Sequence, residues 1–223
     1  MFIILLLFGA CWSSFLTTWT WRNIFDLNSA LGSYSVCDHC RHEIAWRYLI
    51  PVVGYLFQLG KCHYCGKRIN CYWFICEVVG AFFWTAFPIF STQDLIIFLI
   101  VDSCMIITCT QDWFTHEFNG YLILSIWLLH YLNVVTPSHI TVLIYTLFWM
   151  IGYFYSQIGN GDIDFIIMTT LSCGPYISTQ TVLFACLLSI FHPKLYRHAP
   201  IPLLPFLWLG LFLSLIIKKH ALL

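Results

Sequence analysis

Charged side chains are scarce in this chain of 223 residues, where Asp, Glu, Lys and Arg together make up 9% of the sequence. Soluble domains carry about 25% charged residues, so a fold whose whole surface faces water is excluded. Hydrophobic residues make up 60% and aromatic residues 19%, and aromatic rings suit both the acyl region and the headgroup interface of a bilayer. The composition therefore predicts an integral membrane protein.

The basic residues are unevenly distributed, although the formal net charge is zero. Because basic loops stay on the cytoplasmic side of a membrane, the long polar stretch that holds most of them is predicted to be cytoplasmic, with the N-terminus outside. Nucleic-acid binding is the competing use of a basic cluster, and it is not expected here because Asp26, Asp38 and Glu43 dilute the positive charge. The basic residues of this stretch are Arg22, Arg41, Arg47, Lys61, Lys67 and Arg68.

Long apolar segments predict an all-α, polytopic helical bundle, since about 20 apolar residues cross the hydrocarbon core. We expect a first membrane helix over residues 1–20, which lacks the basic region of a cleaved signal peptide, a polar domain over 21–70 and a multi-helix membrane domain over 71–223. Gly174 and Pro175 should divide the apolar run 163–191 into two helices. About eight spans are expected, within a range of six to eight: residues 1–20, 71–90, 94–111, 120–135, 140–157, two within 163–191, and 200–217.

Four of the eleven cysteines form two CxxC pairs in the polar domain, Cys37 with Cys40 and Cys62 with Cys65. A CxxC turn brings two thiolates to one face, and two such turns close a tetrahedral zinc site. We predict a structural zinc site, with no open coordination position, that supplies much of the folding free energy of the loop. Four free thiols in an unstructured loop, or ligation by one of the histidines in the loop, are the alternatives.

Two aspartates follow predicted spans on the side of the membrane that the charge distribution assigns to the cytoplasm. They are Asp112 and Asp162, the second in the sequence Gly159-Asn160-Gly161-Asp162. Two neighbouring carboxylates share a proton, so one can activate a water while the other protonates a scissile carbonyl. The glycines would let an extended peptide approach the backbone. The structural alternative for Asp162 is a turn at a helix end with a solvated carboxylate.

Two further acids, Glu77 and Asp102, lie within predicted helices, where acidic groups are functional candidates by default. Glu77 is a candidate for binding a basic partner or a polar group of a substrate, and Asp102 could face a polar cavity. Supporting, structural roles are the favoured alternative for both.

These motifs resemble the type IV prepilin peptidases, in the compact form associated with competence pseudopilin processing. The segment from Cys37 to Cys65 resembles the cysteine domain of that family, and Glu77 follows it at the usual place. By the same resemblance Asp112 corresponds to the first catalytic aspartate, and Asp162 to the second, in the GxGD motif with Gly159 and Gly161.

Two departures from the pattern of the family stand out, one in a stretch of three residues and one at a single position. Phe118, Asn119 and Gly120 stand where Ile-Pro followed by Asp or Asn is usual. Asp164 stands where a lysine is common. Neither change removes a catalytic carboxylate, but both bear on substrate geometry and on the charge near the aspartate pair.

The resemblance implies an aspartic endopeptidase of a bacterial plasma membrane, which cleaves the leader of prepilin or pseudopilin precursors after a glycine at the cytoplasmic face. Many members also methylate the new N-terminus with S-adenosylmethionine, and methylation is left open here because the chain has no glycine-rich nucleotide-binding motif. The competing hypothesis is a non-enzymatic membrane scaffold or small transporter with a zinc module, in which Asp102 would matter more than Asp112.

Overall fold

A computed structural model describes residues 2–25, 34–85, 95–117, 119–120, 143, 147, 151, 159–192, 195 and 200–221. The chain divides into two compact units, Met1–Ile89 and Phe90–Leu223. Regular structure in the described ranges is helical, apart from two isolated antiparallel β-bridges. The predicted all-α class is confirmed for these residues, while the number of membrane spans stays a prediction.

The first unit contains α1 (Phe2–Ile24), α2 (Val53–Phe57) and α3 (Cys71–Thr85), with a short 3-10 helix at Trp46–Tyr48 before α2. Helices α1 and α3 approach closely through small residues. A Cβ atom on Gly80 would lie 1.7 Å from the Ser13 hydroxyl oxygen, and one on Gly9 would lie 2.4 Å from the Gly80 carbonyl oxygen. Such small-residue contacts are characteristic of packed membrane helices, whose association depends on close backbone approach.

Aromatic pairs contact across α1 and α3 near both ends of the helix pair. The rings of Phe8 and Trp84 meet edge to face at 4.6 Å, and those of Trp21 and Trp73 do so at 5.8 Å. Trp is enriched at both interfaces of a bilayer, and α1 is about 35 Å long by its helical rise. The two ring pairs lie 13 residues apart on α1, about 20 Å along its axis, and they hold α1 and α3 together at two levels.

The second unit contains α4 (Leu95–Thr115), α5 (Asn160–Cys173), α6 (Pro175–Ser189) and α7 (Leu204–Ala221). Gly174 separates α5 from α6 with a φ of 90°, which favours glycine. Pro175 begins α6, where its fixed φ suits the first helical position. The predicted division of the apolar run at Gly174 and Pro175 is therefore confirmed.

The observed helix ends differ from the predicted spans by a few residues. Helix α4 continues past residue 111 to Thr115, because His116 ends it in a left-handed conformation and donates its N–H to the Asp112 carbonyl oxygen. Helix α7 begins at Leu204 rather than at residue 200. The predicted spans 120–135 and 140–157 fall almost wholly outside the described residues.

Among the described residues, α1 is the helix that is both long and apolar enough to cross a membrane. Two further apolar helices, Cys71–Thr85 and Leu204–Lys218, are shorter. These assignments rest on length and composition, and the predicted orientation of the chain stays a prediction.

Candidate active site and metal centre

The four predicted zinc ligands lie together in the first unit. Their sulfur atoms are all within 4.8 Å of one another, and the Cys37 and Cys65 sulfurs are 3.9 Å apart. Ligands at the usual Zn–S length of about 2.3 Å in a tetrahedron would have sulfurs about 3.8 Å apart. The cluster of Cys37, Cys40, Cys62 and Cys65 therefore fits a zinc ion with small adjustments.

Each CxxC pair is held by the same backbone turn. In the first turn the Cys37 N–H donates to the His42 carbonyl oxygen at 3.0 Å, and the Arg41 N–H donates to the Cys37 carbonyl oxygen at 2.9 Å. A bridge between Val36 and Glu43 closes the turn. The residue after the second cysteine of the pair, Arg41, has a positive φ of 57°.

The second turn repeats this pattern. The Cys62 N–H donates to the Lys67 carbonyl oxygen at 2.8 Å, and the Gly66 N–H donates to the Cys62 carbonyl oxygen at 2.9 Å. A bridge between Lys61 and Arg68 closes it, and Gly66 has a φ of 69°. The two turns present two sulfurs each, and the described residues place no fifth ligand group in the cluster.

The protonation of the groups in and beside the four-cysteine cluster depends on burial and on neighbouring hydrogen bonds and charges. The N–H of His42 lowers the pKa of the Cys40 thiol, but desolvation and hydrogen bonds with the other three cysteines outweigh it and raise the pKa to about 11. Burial raises the pKa of Asp38 against the charges of Arg41 and other basic neighbours, which lower it. A divalent cation would favour the thiolate forms, because metal binding displaces the thiol protons.

Glu77 joins three parts of the first unit. One carboxylate oxygen accepts a hydrogen bond from the Ser14 hydroxyl at 2.7 Å, and the other accepts one from the Val52 N–H at 2.6 Å. Val52 has a φ of 64°, which is strained for a β-branched residue. Glu77 thus links α1 to the segment before α2, and sequence reasoning missed both of its partners. Its predicted role towards a substrate stays a prediction.

Asp112 lies in the last turn of α4 and is 7% exposed. Its Oδ2 atom accepts a hydrogen bond from the backbone N–H of Leu204 at 3.1 Å, in a buried contact between residues 92 positions apart. Leu204 is the first residue of α7. This partner carried no sequence signal, because a backbone N–H is present at nearly every position.

Asp162 lies in the first turn of α5, where Gly159 is the N-cap residue. The Asp162 N–H donates to the Gly159 carbonyl oxygen at 3.0 Å. A Cβ atom on Gly159 would lie 3.1 Å from Oδ2 of Asp162, closer than ordinary van der Waals contact. The first glycine of the GxGD sequence therefore leaves room for the carboxylate, whereas Gly161 lies within the helical turn.

The two aspartates interact electrostatically within the second unit. Burial first, and then the charge of Asp112, raise the pKa of Asp162 to about 7. Both residues lie just beyond the ends of predicted spans, which finish at residue 111 and begin again at residue 163. The two carboxylates that the sequence singled out therefore lie within electrostatic range of each other, and their catalytic role stays a prediction.

The remaining acidic candidate of the second unit lies deeper in α4. Asp102 is fully buried and precedes Asp112 by nearly three turns of the same helix, a rise of about 15 Å.

Of the positions that depart from the family pattern, Asn119 donates its N–H to the Gln111 side-chain oxygen at 3.3 Å. Asp164 lies in α5, two residues after Asp162.

Comparison with known protein families assigns a class to part of the chain. Residues 7–90 match the family model of the bacterial peptidase A24 N-terminal domain. The matched segment includes most of α1, the four-cysteine loop and α3. The first unit is thus similar to the N-terminal domain of a class of bacterial peptidases.

Individual relatives bear the name prepilin leader peptidase/N-methyltransferase. The protein of Vibrio cholerae serotype O1 is 36% identical over 66 residues, which cover 30% of this chain and 24% of that protein. The Bacillus subtilis protein is 34% identical over 114 residues, which cover 50% of this chain and 46% of that protein. The Klebsiella pneumoniae protein is 47% identical over 36 residues, or 16% of each chain. No solved structure matches the chain.

The resemblance to the type IV prepilin peptidases, drawn above from sequence motifs, is confirmed by these comparisons. The chain spans about a quarter of the length of the Vibrio relative and about half that of the Bacillus relative. The activity, substrates and partners of those proteins are therefore not assigned to this chain by similarity alone.

Proposed function

We propose that this protein is a membrane-embedded aspartic endopeptidase, which removes the leader peptide from type IV prepilin or pseudopilin precursors at the cytoplasmic face of a bacterial plasma membrane. The observation that carries the proposal is that Asp112 and Asp162, two buried or largely buried carboxylates on different helices, lie near enough for the charge of Asp112 to raise the pKa of Asp162. Structural ion networks usually pair opposite charges, so two interacting acids at one site favour chemistry that uses a shared proton.

In the proposed reaction the pair holds one proton and one negative charge. The ionised carboxylate takes a proton from a water as the water oxygen attacks the scissile carbonyl, and the protonated carboxylate gives its proton to the carbonyl oxygen. The tetrahedral intermediate then breaks its C–N bond as a proton passes to the leaving nitrogen. Each carboxylate ends in a state from which the next cycle can begin.

The proposed substrate must reach the pair in an extended form, because a helical peptide hides its carbonyl groups in internal hydrogen bonds. Gly159 supports this access, since it has no side chain beside the Asp162 carboxylate. The precursor as partner, and the bilayer as its setting, are supported by the names of the relatives and by the apolar helices.

The four-cysteine site is proposed to bind structural zinc. Zinc bound there would tie the two CxxC turns together and supply folding free energy to a loop with few buried apolar side chains. Cleavage does not involve this site in the proposal, since four sulfur ligands leave no position for water or a substrate oxygen.

The names of the relatives also include N-methyltransferase, an activity for which S-adenosylmethionine would be the methyl donor. We propose cleavage as the activity of this chain, whether or not the chain also methylates the new N-terminus. Mass measurement of the mature N-terminus would detect an added methyl group directly.

The test of the proposal is co-expression with a pseudopilin precursor, followed by mass measurement of its N-terminus. Asp112→Asn and Asp162→Asn should each abolish leader removal, with rates lowered by about a thousandfold or more. Asp164→Asn is the matched control and should retain most activity. If both variants process the precursor fully, the proposal is wrong, and the scaffold or transporter hypothesis, in which Asp102 matters more than Asp112, is favoured instead.

A further inference from the structure

The first N–H group of α7 donates a hydrogen bond to the carboxylate of Asp112. Leu204 is completely buried, and its N–H donates to Asp112 Oδ2 at 3.1 Å. The next residue, Pro205, has no N–H, and the N–H groups of Phe206 and Leu207 both donate to the Leu203 carbonyl oxygen at 3.0 Å. The Leu204 N–H is therefore the donor at the start of α7 that is not bonded to the backbone of its own turn, and it donates to Asp112.

This contact favours one charge state of Asp112. A backbone N–H at a helix N-terminus stabilises an anion, both by its hydrogen bond and by the positive end of the helix dipole. The effect is strengthened by burial, because water does not screen it. Asp162 also lies near a helix N-terminus, but burial and the charge of Asp112 outweigh that position and raise its pKa to about 7. Asp112 is buried as well, so what distinguishes its environment is the hydrogen bond from the Leu204 N–H.

We propose that Leu204 is a positioning residue, whose backbone N–H holds Asp112 as the ionised member of the pair and leaves the shared proton on Asp162. This inference rests on the proposed peptidase function. In the attack step a proton moves from water to Asp112, the water oxygen bonds to the carbonyl carbon, and the proton of Asp162 moves to the carbonyl oxygen. In the collapse step the C–N bond breaks as the proton on Asp112 passes to the nitrogen, and the hydroxyl proton returns to Asp162.

Other titratable side chains lie on the elements around this pair. They include Asp102 on α4, His116 and Glu117 at its end, Asp164 on α5, His192 after α6, and Lys218 on α7. The His192 ring lies 5.5 Å from the Trp113 ring and 5.7 Å from the Phe206 ring. Because all of these groups are unchanged in the variants compared below, their titration contributes equally to each pH profile.

The test removes the donor and keeps the helix. Leu204→Pro lacks the N–H, and proline is favoured at the first position of a helix. Leu204→Ala is the matched control, since it shortens the side chain but keeps the N–H. The full chain, in lipid nanodiscs, is assayed for kcat and KM on a pseudopilin precursor across pH. Compared with Leu204→Ala, Leu204→Pro should move the acidic limb of the kcat profile to higher pH by about one unit, with KM little changed.

A second variant guards against misfolding of the proline form. Replacing Leu204 with its α-hydroxy acid turns the amide into an ester, which deletes the N–H and keeps the side chain. Compared with the unmodified protein, the ester form should show the same shift of the acidic limb of its kcat profile to higher pH. If the alanine, ester and proline forms have the same acidic limb, the inference is overturned although the enzyme is active. If the unmodified chain does not cleave the precursor, the proposed function itself fails.

Discussion

The four-cysteine site and the aspartate pair are assembled in different ways. The cysteine ligands lie in one loop, within 28 positions of each other, and two short turns with internal backbone hydrogen bonds aim all four sulfurs. The aspartates come from α4 and α5, and the partner of Asp112 comes from α7. A locally closed site can therefore form with its own loop, whereas the aspartate pair exists only when three helices have packed.

The largest expected effect is the loss of bound metal when ligands of the four-cysteine site are removed. Replacing Cys37 and Cys40 by Ser removes one complete turn of ligands, so bound zinc should fall nearly to zero, and the amount of folded protein should fall several-fold. The measurement is zinc per chain by elemental analysis of purified protein. Asp112→Asn is the control and should keep its zinc. Full zinc content in the double serine variant would refute the four-cysteine site.

The next effect concerns pH and the second unit. Asp162 has a raised pKa of about 7, so it carries its proton below that pH and loses it as the pH rises through 7. Because the proposed step needs that proton, kcat/KM should fall about tenfold for each pH unit above this value. The profile is measured on a precursor peptide, with zinc content followed in parallel. A rate that keeps rising to pH 9 would contradict the assignment of Asp162 as the proton donor.

A smaller effect is expected from the glycine beside Asp162. The added Cβ of Gly159→Ala would lie 3.1 Å from the carboxylate oxygen, so Asp162 must move by a few tenths of an ångström. Displacements of this size in a catalytic group lower rates by about tenfold. Gly120→Ala is the control in the same unit, because its Cβ would meet no atom of the described residues within 4 Å. Equal rates for the two variants would show that Gly159 has no part in positioning Asp162.

The smallest effect compares the two CxxC turns with each other. Arg41 and Gly66 occupy equivalent positions with positive φ, and only glycine adopts this conformation without strain. Gly66→Ala should destabilise the loop by about 1 kcal/mol, while Arg41→Gly should cost little or stabilise it slightly. The readout is the chelator concentration at which each variant loses zinc. A lower midpoint for Arg41→Gly than for Gly66→Ala would contradict the equivalence of the turns.

The sequence could predict the site that forms within one loop better than the site that depends on helix packing. CxxC spacing fixes the geometry of two ligands within one turn, so all four cysteines could be named and the structure clusters them. Gly174 and Pro175 marked a helix break because their backbone preferences are local. The aspartates could be nominated from their rarity in apolar surroundings. Their pairing could be proposed from the charge distribution and the family resemblance, but the hydrogen-bond partners of Glu77 and Asp112 could not, because helix packing and backbone donors leave no pattern in a single sequence.

Site-resolved titration of Asp162 tests the central claim most directly. With carboxyl-labelled aspartate in the full chain, the Asp162 signal in unmodified protein should titrate near pH 7 and move to lower pH, by about one unit, in Asp112→Asn, because the neighbouring negative charge is gone. An Asp162 titration that is the same in both proteins would mean that the two carboxylates do not share a site.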